Sequence, residues 1–465
     1  MIPHAGCWNL LGILLAIVPL GCAASRNARV DPHLAYAAGD YATAAEIFAA
    51  QNRGFEKDAS RLNLAMVRLA AGEVDAATRD LRELREHFDT IASQPPLASP
   101  AALTTDDRSI AFRLRDDEKV VLRSLLTLAS LAGDGIDAES YSLQAVTQQQ
   151  RAARDHVSPG DADSTSPGDA DVTAPGDPAN QVALAPYLRG LLREATHHDY
   201  DDAQRAYRLV SRIEPRFEPI QNDLARVQSA VHSPPGHGVL VVISMTGQSP
   251  RFREVEAETT TASLAIASSV WSAVIHDQDS DDDDRLPTVL PNIASVKIPE
   301  PFFPPNEIQS VGVRIGIDRI AYTHPVTDIG ELLIRRYERE KPQMIARAVL
   351  RRAAKEAAVA AGAKAINLEG SAASMFQFAA ASAWSAAEKA DTRSWSLLPR
   401  EFQVLRMALP VGNHDVRMAA VNASAVELGP AVLDRVAIED GRDTYRIVVA
   451  ARDRVEIVRP RTVPR

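Results

Sequence analysis

Cysteine is nearly absent from this sequence of 465 residues, since Cys7 and Cys22 are the two that it contains. Both lie within the first 22 positions, so a chain that loses an N-terminal leader keeps one thiol at most. This excludes an internal disulfide, a thiolate metal site and a catalytic cysteine from the rest of the chain. The apolar run Leu10–Leu20 is also shorter than the roughly 20 residues that a transmembrane helix needs. The folded part must therefore be stabilised by its own core.

The signatures of common enzymes are missing as well. The sequence contains no His-Glu-x-x-His, no Gly-x-Ser-x-Gly, no phosphate-binding loop and no Gly-x-Gly-x-x-Gly. The pairs His197 with His198 and His232 with His237 have too few companions to predict a metal site. The net charge of −10 argues against general nucleic-acid binding. We therefore expect a protein that is not an enzyme, with no metal, no cofactor and no nucleic-acid partner.

The N-terminal segment has the pattern of an export signal. About 11 apolar residues precede Leu-Gly-Cys at Cys22, a length typical of the apolar part of a secretory signal peptide. The segment resembles the signal peptide of bacterial lipoproteins, in which the chain is cut before the cysteine and the cysteine is acylated. This resemblance implies removal of residues 1–21, a lipid on Cys22 and a tether over residues 22–30. Ala23 follows instead of Asp, which implies the outer membrane, with the protein facing the periplasm. The alternative is an ordinary signal peptide cut near Ala23-Ala24-Ser25, in which Cys22 is discarded.

The first half, residues 31–230, contains a repeated helical pattern. The motif Gly-x-apolar-x-x-Ala-x-x-x-large begins at Gly39 and again 33 residues later at Gly72. This motif resembles the tetratricopeptide repeat, in which Gly forms the turn between two helices and Ala allows their close packing. Less regular copies surround Gly133 and occupy Tyr187–Pro215. The pattern predicts an array of helical hairpins.

An insert separates the third copy from the fourth. Residues 155–181 contain the tripeptide Pro-Gly-Asp three times and have almost nothing apolar to bury, so we expect disorder there. Stacked helical hairpins commonly bind a peptide or a partner protein through a concave face. They can also support a neighbouring domain, and the sequence leaves both roles open.

The second half, residues 238–465, is predicted to be rich in strands. Apolar or alternating runs indicate strands at Gly238–Ile243, Val311–Ile317 and Glu401–Met407. Leu409–Val416 has the pattern of a strand, a turn and a second strand, and Arg446–Val458 has that of a final hairpin. An acidic loop at residues 277–286 is expected to be disordered. We predict an α+β protein, in which a tetratricopeptide-like array precedes a β-sandwich-like domain with an inserted helical pair.

The helical insertion is expected at residues 328–390. A capping box at Asp328 starts one helix that ends near Glu340, and Pro342 starts a second one. The alanine-rich residues 371–390 are expected to pack on this second helix. Membrane insertion of that stretch is the alternative.

Three cations share one stripe of the second helix. Arg347, Arg351 and Lys355 are spaced by four residues and therefore lie on the same side. Together with Arg393 they form a candidate site for an anion such as a phosphate, a lipid headgroup or a glycan. The other interpretation is that they pair with carboxylates of the fold such as Asp391, and we favour this structural role.

Two further motifs stand near the end of the chain, Asp391-x-Arg393-Ser394-Trp395-x-x-Leu398-Pro399 and Leu409-Pro410-x-Gly412-x-His414. Asp391 and Arg393 are one residue apart, so we expect each to contact a different part of the fold, and we expect His414 to cap its own loop. With the signal and the repeats, these motifs resemble a family of uncharacterised bacterial envelope lipoproteins with a tetratricopeptide-like N-terminal half. The resemblance implies structural roles for Asp391, Trp395, Pro399, Gly412 and His414.

The signal, the repeats and the missing catalytic signatures together predict a membrane-tethered envelope lipoprotein that acts as a non-catalytic scaffold or protein-binding module. Its partners would be the membrane, through the N-terminal lipid, and an envelope protein. The family resemblance associates it with cell-wall or envelope assembly. The alternative is an anion- or glycan-binding module that uses Arg347, Arg351, Lys355 and Arg393, and an enzyme is the least favoured interpretation.

Overall fold

The computed structural model describes residues 30–92, 111–155, 180–277, 293–316, 319–365 and 389–460. The predicted lipid anchor at Cys22 lies outside these ranges. So do nearly all residues of the predicted tether, the Pro-Gly-Asp insert, the acidic loop and the alanine-rich stretch. Among the described residues, no helix is both long and apolar enough to cross a membrane.

The N-terminal half is built from helices. They are α1 Pro32–Ala37, α2 Tyr41–Ala50, α3 Lys57–Ala70, α4 Val74–Ala92, α5 Asp116–Ala132, α6 Ala138–Asp155, α7 Leu184–Glu194, α8 Tyr200–Ile213 and α9 Ile220–Gln228. Gly39 and Gly72 both have φ of +78° in the turns that join α1 to α2 and α3 to α4, a conformation that favours glycine. The helical class of this half is confirmed, whereas its assignment to the tetratricopeptide class stays a prediction.

The C-terminal half contains the strands, so the mixed α+β class is confirmed. Its elements are β1 His237–Thr246, β2 Arg251–Glu258, α10 Thr261–Asp277, β3 Ser295–Phe302, β4 Ser310–Ile315, β5 Arg319–Tyr322, β6 His324–Asp328, α11 Ile329–Ala365, β7 Glu401–Pro410, β8 Gly412–Val421, β9 Val432–Ile438, β10 Asp443–Ala450 and β11 Glu456–Ile457. The strands predicted from apolar runs correspond to β1, β4, β7, β8, β10 and β11.

These strands form three sheets. A five-stranded sheet has the order β11-β10-β1-β7-β6, and a four-stranded sheet has the order β5-β4-β8-β9. The hairpin β2–β3 forms a sheet of its own. In the five-stranded sheet β1 runs parallel to β10 and antiparallel to β7. The last strands of the chain therefore pair with the first one of this half.

The five-stranded sheet is the middle layer of the protein. In β1, nine of ten residues are buried. Val239, Val241 and Ile243 belong to one hydrophobic cluster with the N-terminal helices. Leu240 and Val242, on the opposite face, belong to a cluster with the four-stranded sheet. One sheet thus packs against helices on one side and against a second sheet on the other.

The helical array covers this sheet with the first helices of its third and fourth hairpins. Helix α5 packs on β10 and α7 on β6. Ten of the fourteen residues of α3 are buried, compared with three of fourteen in α8, which is the second helix of its hairpin. The inner face of the array is therefore filled by the protein's own sheet.

The hairpin β2–β3, α10 and the later part of α11 form a projection with its own core, which we call the arm. Trp271 of α10 contributes to this core together with Ile298 of β3 and Val349 of α11. In the described residues the helical partner of α11 is thus α10, which the sequence patterns did not predict. The predicted partner, residues 371–390, lies almost entirely outside the described ranges.

The predicted break at Pro342 is wrong, because α11 continues from Ile329 to Ala365 with this proline inside it. A proline inside a helix removes one backbone hydrogen bond and costs about 3 kcal/mol. Contacts on both sides of Pro342 offset this cost. Arg336 pairs with Asp117 of α5 before it, and the apolar core of the arm follows it.

Gly190 allows α7 and α8 to approach closely, and this contact generates a prediction. A Cβ atom at position 190 would lie 2.4 Å from a ring carbon of Tyr207. We expect Gly190→Ala to destabilise the protein by about 1–3 kcal/mol through overpacking, as measured by urea unfolding. The cost should fall in a Tyr207→Leu background, because the smaller side chain leaves room. An equal cost in both backgrounds would contradict the proposed contact.

Candidate functional site

A segment of irregular structure, residues 389–399, links the arm to β7 and lies against the helical array. We call it the strap. Trp395, Leu397 and Leu398 are 2–3% exposed and belong to the cluster shared by helices and sheet. The Asp-x-Arg-Ser-Trp motif therefore lies at the junction of the two halves.

Within the strap, Asp391 and Arg393 bind each other, so the prediction that they contact different parts of the fold is wrong. Arg393 Nε lies 2.9 Å from Asp391 Oδ1, and a terminal nitrogen lies 2.7 Å from Oδ2. The backbone N–H of Arg393 also donates to Asp391 Oδ1, at 3.0 Å. Side chains two positions apart lie on the same side of an extended backbone, and the turn at Asp391 brings the guanidinium of Arg393 within reach of the carboxylate.

The paired Arg393 also reaches the helical array. Its guanidinium carbon lies 3.8 Å from the ring centroid of Phe55, and its Nη1 donates to the carbonyl oxygen of Phe55 at 3.2 Å. The Arg393 side chain is 4% exposed. It is therefore a buried cation with a counter-ion, an aromatic face and a carbonyl acceptor, and its neighbours explain its burial.

A second set of polar contacts joins the strap to α1 and α3. Asn63 of α3 accepts from the backbone N–H of Leu397 at 2.9 Å and donates to Ser396 Oγ at 3.2 Å. His33 Nε2 lies 2.6 Å from the same hydroxyl, and Asp31 holds the other ring nitrogen at 2.8 Å. In the sequence, Asn63 stands between Leu62 and Leu64 in the apolar part of α3. A polar residue at such a position could have indicated a buried polar contact.

The other motif residues have separate positions. Pro399 is buried at the end of the strap. Gly412, with φ of +140°, is the first residue of β8 and lies at the end of β7 that is far from the strap. His414 Nε2 lies 2.7 Å from the carbonyl oxygen of Pro410, so this histidine contacts its own hairpin. The two motifs are thus not brought together.

The four cations of the predicted anion site do not share one open surface. Arg347 is exposed, Arg351 is buried and Lys355 is half-buried on α11. Arg393 is in the strap with Asp391 as its counter-ion. Buried cations at two of the four positions agree better with a structural role than with a cleft for a phosphate or a glycan.

A cluster of buried charges lies between the last helices and the sheet. We call it the ion cluster, and it consists of Glu194, Asp223, Arg226, His232, Arg406 and Asp443. Glu194 of α7 lies 2.9 Å from a terminal nitrogen of Arg406 of β7 and 2.5 Å from Nε of Arg226 of α9. His232 lies 3.3 Å from Glu194 and 2.9 Å from Asp443 of β10.

Burial and charge pairing set the acidity of this cluster. Burial opposes the ionisation of Glu194, but hydrogen bonds from Arg226, the ring of His232 at 3.3 Å and the charge of Arg406 lower its pKa to about 2. Burial raises the pKa of Asp223 despite its contact with Arg226. The side chains of Glu194, His232 and Asp443 are 1–3% exposed, so a substrate could not reach them without a rearrangement.

Sequence reasoning missed the ion cluster. The residues next to His232 in the sequence include no set of metal ligands or charged partners, so no site was predicted there. Its contacts, Glu194 and Asp443, come from distant positions in the sequence. No group of three or more His, Cys, Asp or Glu residues suited to a metal ion is present among the described residues.

A small, half-open pocket lies where α8, β6 and the start of α11 meet. Asp328 lines it and accepts a hydrogen bond from the backbone N–H of Glu331 at 2.8 Å, so the predicted N-terminal cap of α11 is present. Glu331 does not complete a capping box, because its carboxylate pairs with Arg216 at 2.6 Å and with Arg335. The charged side chains named here are thus used within the fold.

Neither a protein-family model, nor a curated protein, nor a solved structure matches this chain.

The strap generates a prediction about Arg393. We expect Arg393→Lys to destabilise the protein by about 1–3 kcal/mol, because lysine cannot form the two-point pair with Asp391 while stacking on Phe55. Urea unfolding at neutral pH measures this difference. The matched control is Arg347→Ala, an exposed cation, which should change stability by less than about 0.5 kcal/mol. Equal effects of the two changes would contradict a structural role specific to Arg393.

Proposed function

We propose that this protein is a membrane-tethered lipoprotein of the bacterial cell envelope and acts as a non-catalytic scaffold that binds an envelope protein. The proposal includes a lipid on Cys22, an outer-membrane anchor facing the periplasm, and a role in cell-wall or envelope assembly. The observation that carries the scaffold role is that the charged residues at the junction of the two halves are used in internal contacts. The junction therefore fixes one rigid arrangement of helices and sheet.

We also propose that the helical hairpins are divergent tetratricopeptide-like repeats. Two observations support this proposal. Gly39 and Gly72 have the same positive φ of +78°, and Ala44 and Ala77 are 0% exposed at the positions where close packing of two helices needs a small residue. Because the inner face of the array packs on the sheet, its usual concave binding surface is occupied. A protein partner would then contact the outer helices, where α6 exposes Leu143.

The alternative, an anion- or glycan-binding module, has less support. It needs Arg347, Arg351, Lys355 and Arg393 in one accessible site, whereas Arg351 and the side chain of Arg393 are each 4% exposed. An enzyme stays the least favoured interpretation. The ion cluster holds titratable groups, but their burial leaves no access for a substrate.

The tether is tested by changing its acceptor. We expect Cys22→Ser to move the full-length protein from the membrane fraction to the soluble fraction, because a serine cannot be acylated in this way. The matched control is Cys7→Ser, which lies in the same leader and should leave the protein in the membrane fraction. Unchanged membrane association of the Cys22→Ser protein would overturn the lipid anchor.

The partner is tested by site-specific cross-linking in intact envelopes. A photo-reactive residue in place of Leu143 on α6 should yield an adduct with one envelope protein. The same residue in place of Leu433, which is 74% exposed on β9, serves as the matched control. The absence of protein adducts at both positions would count against the scaffold role. Adducts at Leu433 alone would overturn a contact through the outer helices and would indicate one through the four-stranded sheet.

A further inference from the structure

Asp443 is a buried carboxylate with a single cationic neighbour. Its side chain is 3% exposed at the start of β10. In the part of the chain that the structure describes, the only basic group within 4.0 Å is the ring of His232, at 2.9 Å from Oδ1. The hydroxyl group of Tyr445 donates to Oδ2 at 2.9 Å. A buried carboxylate is costly unless a positive charge and hydrogen bonds compensate it.

The arginines of the ion cluster are directed at the other carboxylates. Arg226 binds both Glu194 and Asp223, and Arg406 binds Glu194 at 2.9 Å. Arg406 also donates to the backbone carbonyl oxygen of His232, at 2.8 Å, which orients the histidine without neutralising Asp443.

The titratable and charged groups that face His232, directly or through one neighbour, come from every element packed against it. They are Glu194 of α7, His197 of the α7–α8 turn, Tyr207 of α8, Asp223 and Arg226 of α9, Arg406 of β7, and Asp443 and Tyr445 of β10. His197 meets the ring edge-on with centroids 4.8 Å apart, and its Nε2 lies 2.7 Å from the carbonyl oxygen of Gly441. It therefore packs against His232 without supplying a counter-ion.

When all three carboxylates of the cluster are ionised, its charges balance if His232 is protonated. Glu194, Asp223 and Asp443 supply three negative charges, and Arg226 and Arg406 supply two positive ones. With a proton on His232 the sum is zero, and with neutral His232 it is −1. The uncompensated charge would lie on buried carboxylates at the contact between the helices and the sheet.

We propose that protonated His232 is a latch that holds the last helices, α7–α9, against β7 and β10, and that loss of its proton at higher pH loosens this contact. The latch depends on the ion cluster alone and is independent of the tether and of any partner protein.

The sign of the pH dependence follows from the contacts. Burial disfavours the charged ring, but the contacts with Asp443 and Glu194 outweigh this and raise the pKa of His232 above its ordinary value of 6.5. A raised pKa in the folded state means that the stabilisation is fully present below about pH 6.5 and is lost as the pH rises through the folded value. Glu194, whose pKa is about 2, stays ionised throughout this range.

The test follows the histidine and the helices separately. The ring proton signals of the histidines are titrated by NMR from pH 5.5 to 9, with His232 assigned from the spectrum of His232→Gln. We expect a midpoint for His232 above 6.5. Hydrogen exchange, corrected for its intrinsic pH dependence, should show that protection of α7 and α9 falls through the same midpoint while α3 is unchanged. Each unit by which the midpoint exceeds 6.5 corresponds to about a tenfold change in the opening equilibrium.

Two variants complete the experiment. Asp443→Asn keeps His232 in place but removes the carboxylate, so the midpoint should move down toward 6.5 and the pH dependence of exchange should flatten. His197→Gln is the matched control, since it removes a packed ring and no counter-ion, and should leave the dependence intact. A wild-type midpoint at or below 6.5, or an undiminished pH dependence in Asp443→Asn, would overturn the latch.

Discussion

The burial of the five-stranded sheet on both faces is the constraint on which the rest of the structure depends. Side chains of successive residues in a strand point to opposite faces, so β1 needs apolar residues at every position if both faces are covered. Its sequence from Val239 to Ile243 satisfies this need, and the two faces belong to different hydrophobic clusters. Because the helical array supplies one of the covers, the helices and the sheet share a core and neither half has a complete core without the other.

Where helices cover a sheet, charged side chains become buried and need partners. At this junction the buried arginines are paired with carboxylates. Arg406 points from the middle of the sheet toward the helices, where Glu194 meets it. The strap brings a second arginine, Arg393, between the halves together with its own counter-ion. In both places removal of one partner would leave a buried charge, so these pairs specify how the helices dock more than they add to stability.

Local patterns in the sequence predicted the elements that local physics determines. The alternating or fully apolar runs indicated the main strands, and the repeated glycines indicated the turns of the first helical hairpins. Contacts between distant positions could not be predicted in this way. The parallel pairing of β1 with β10 joins residues about 200 positions apart, and the ion cluster gathers Glu194, His232 and Asp443 from separate segments. Pro342 was misread because a single-sequence pattern does not show the packing that keeps α11 continuous.

The arm has a different relation to the rest of the fold. Its core is separate from the two clusters of the central sheet, and α11 is the helix that extends into it. The hydroxyl group of Thr259 donates to the carbonyl oxygen of Ile293 at 3.0 Å, and the backbone N–H of Ala390 donates to Glu254 of β2 at 2.8 Å. The arm is therefore held together by its own apolar core and by polar contacts on β2 or next to it.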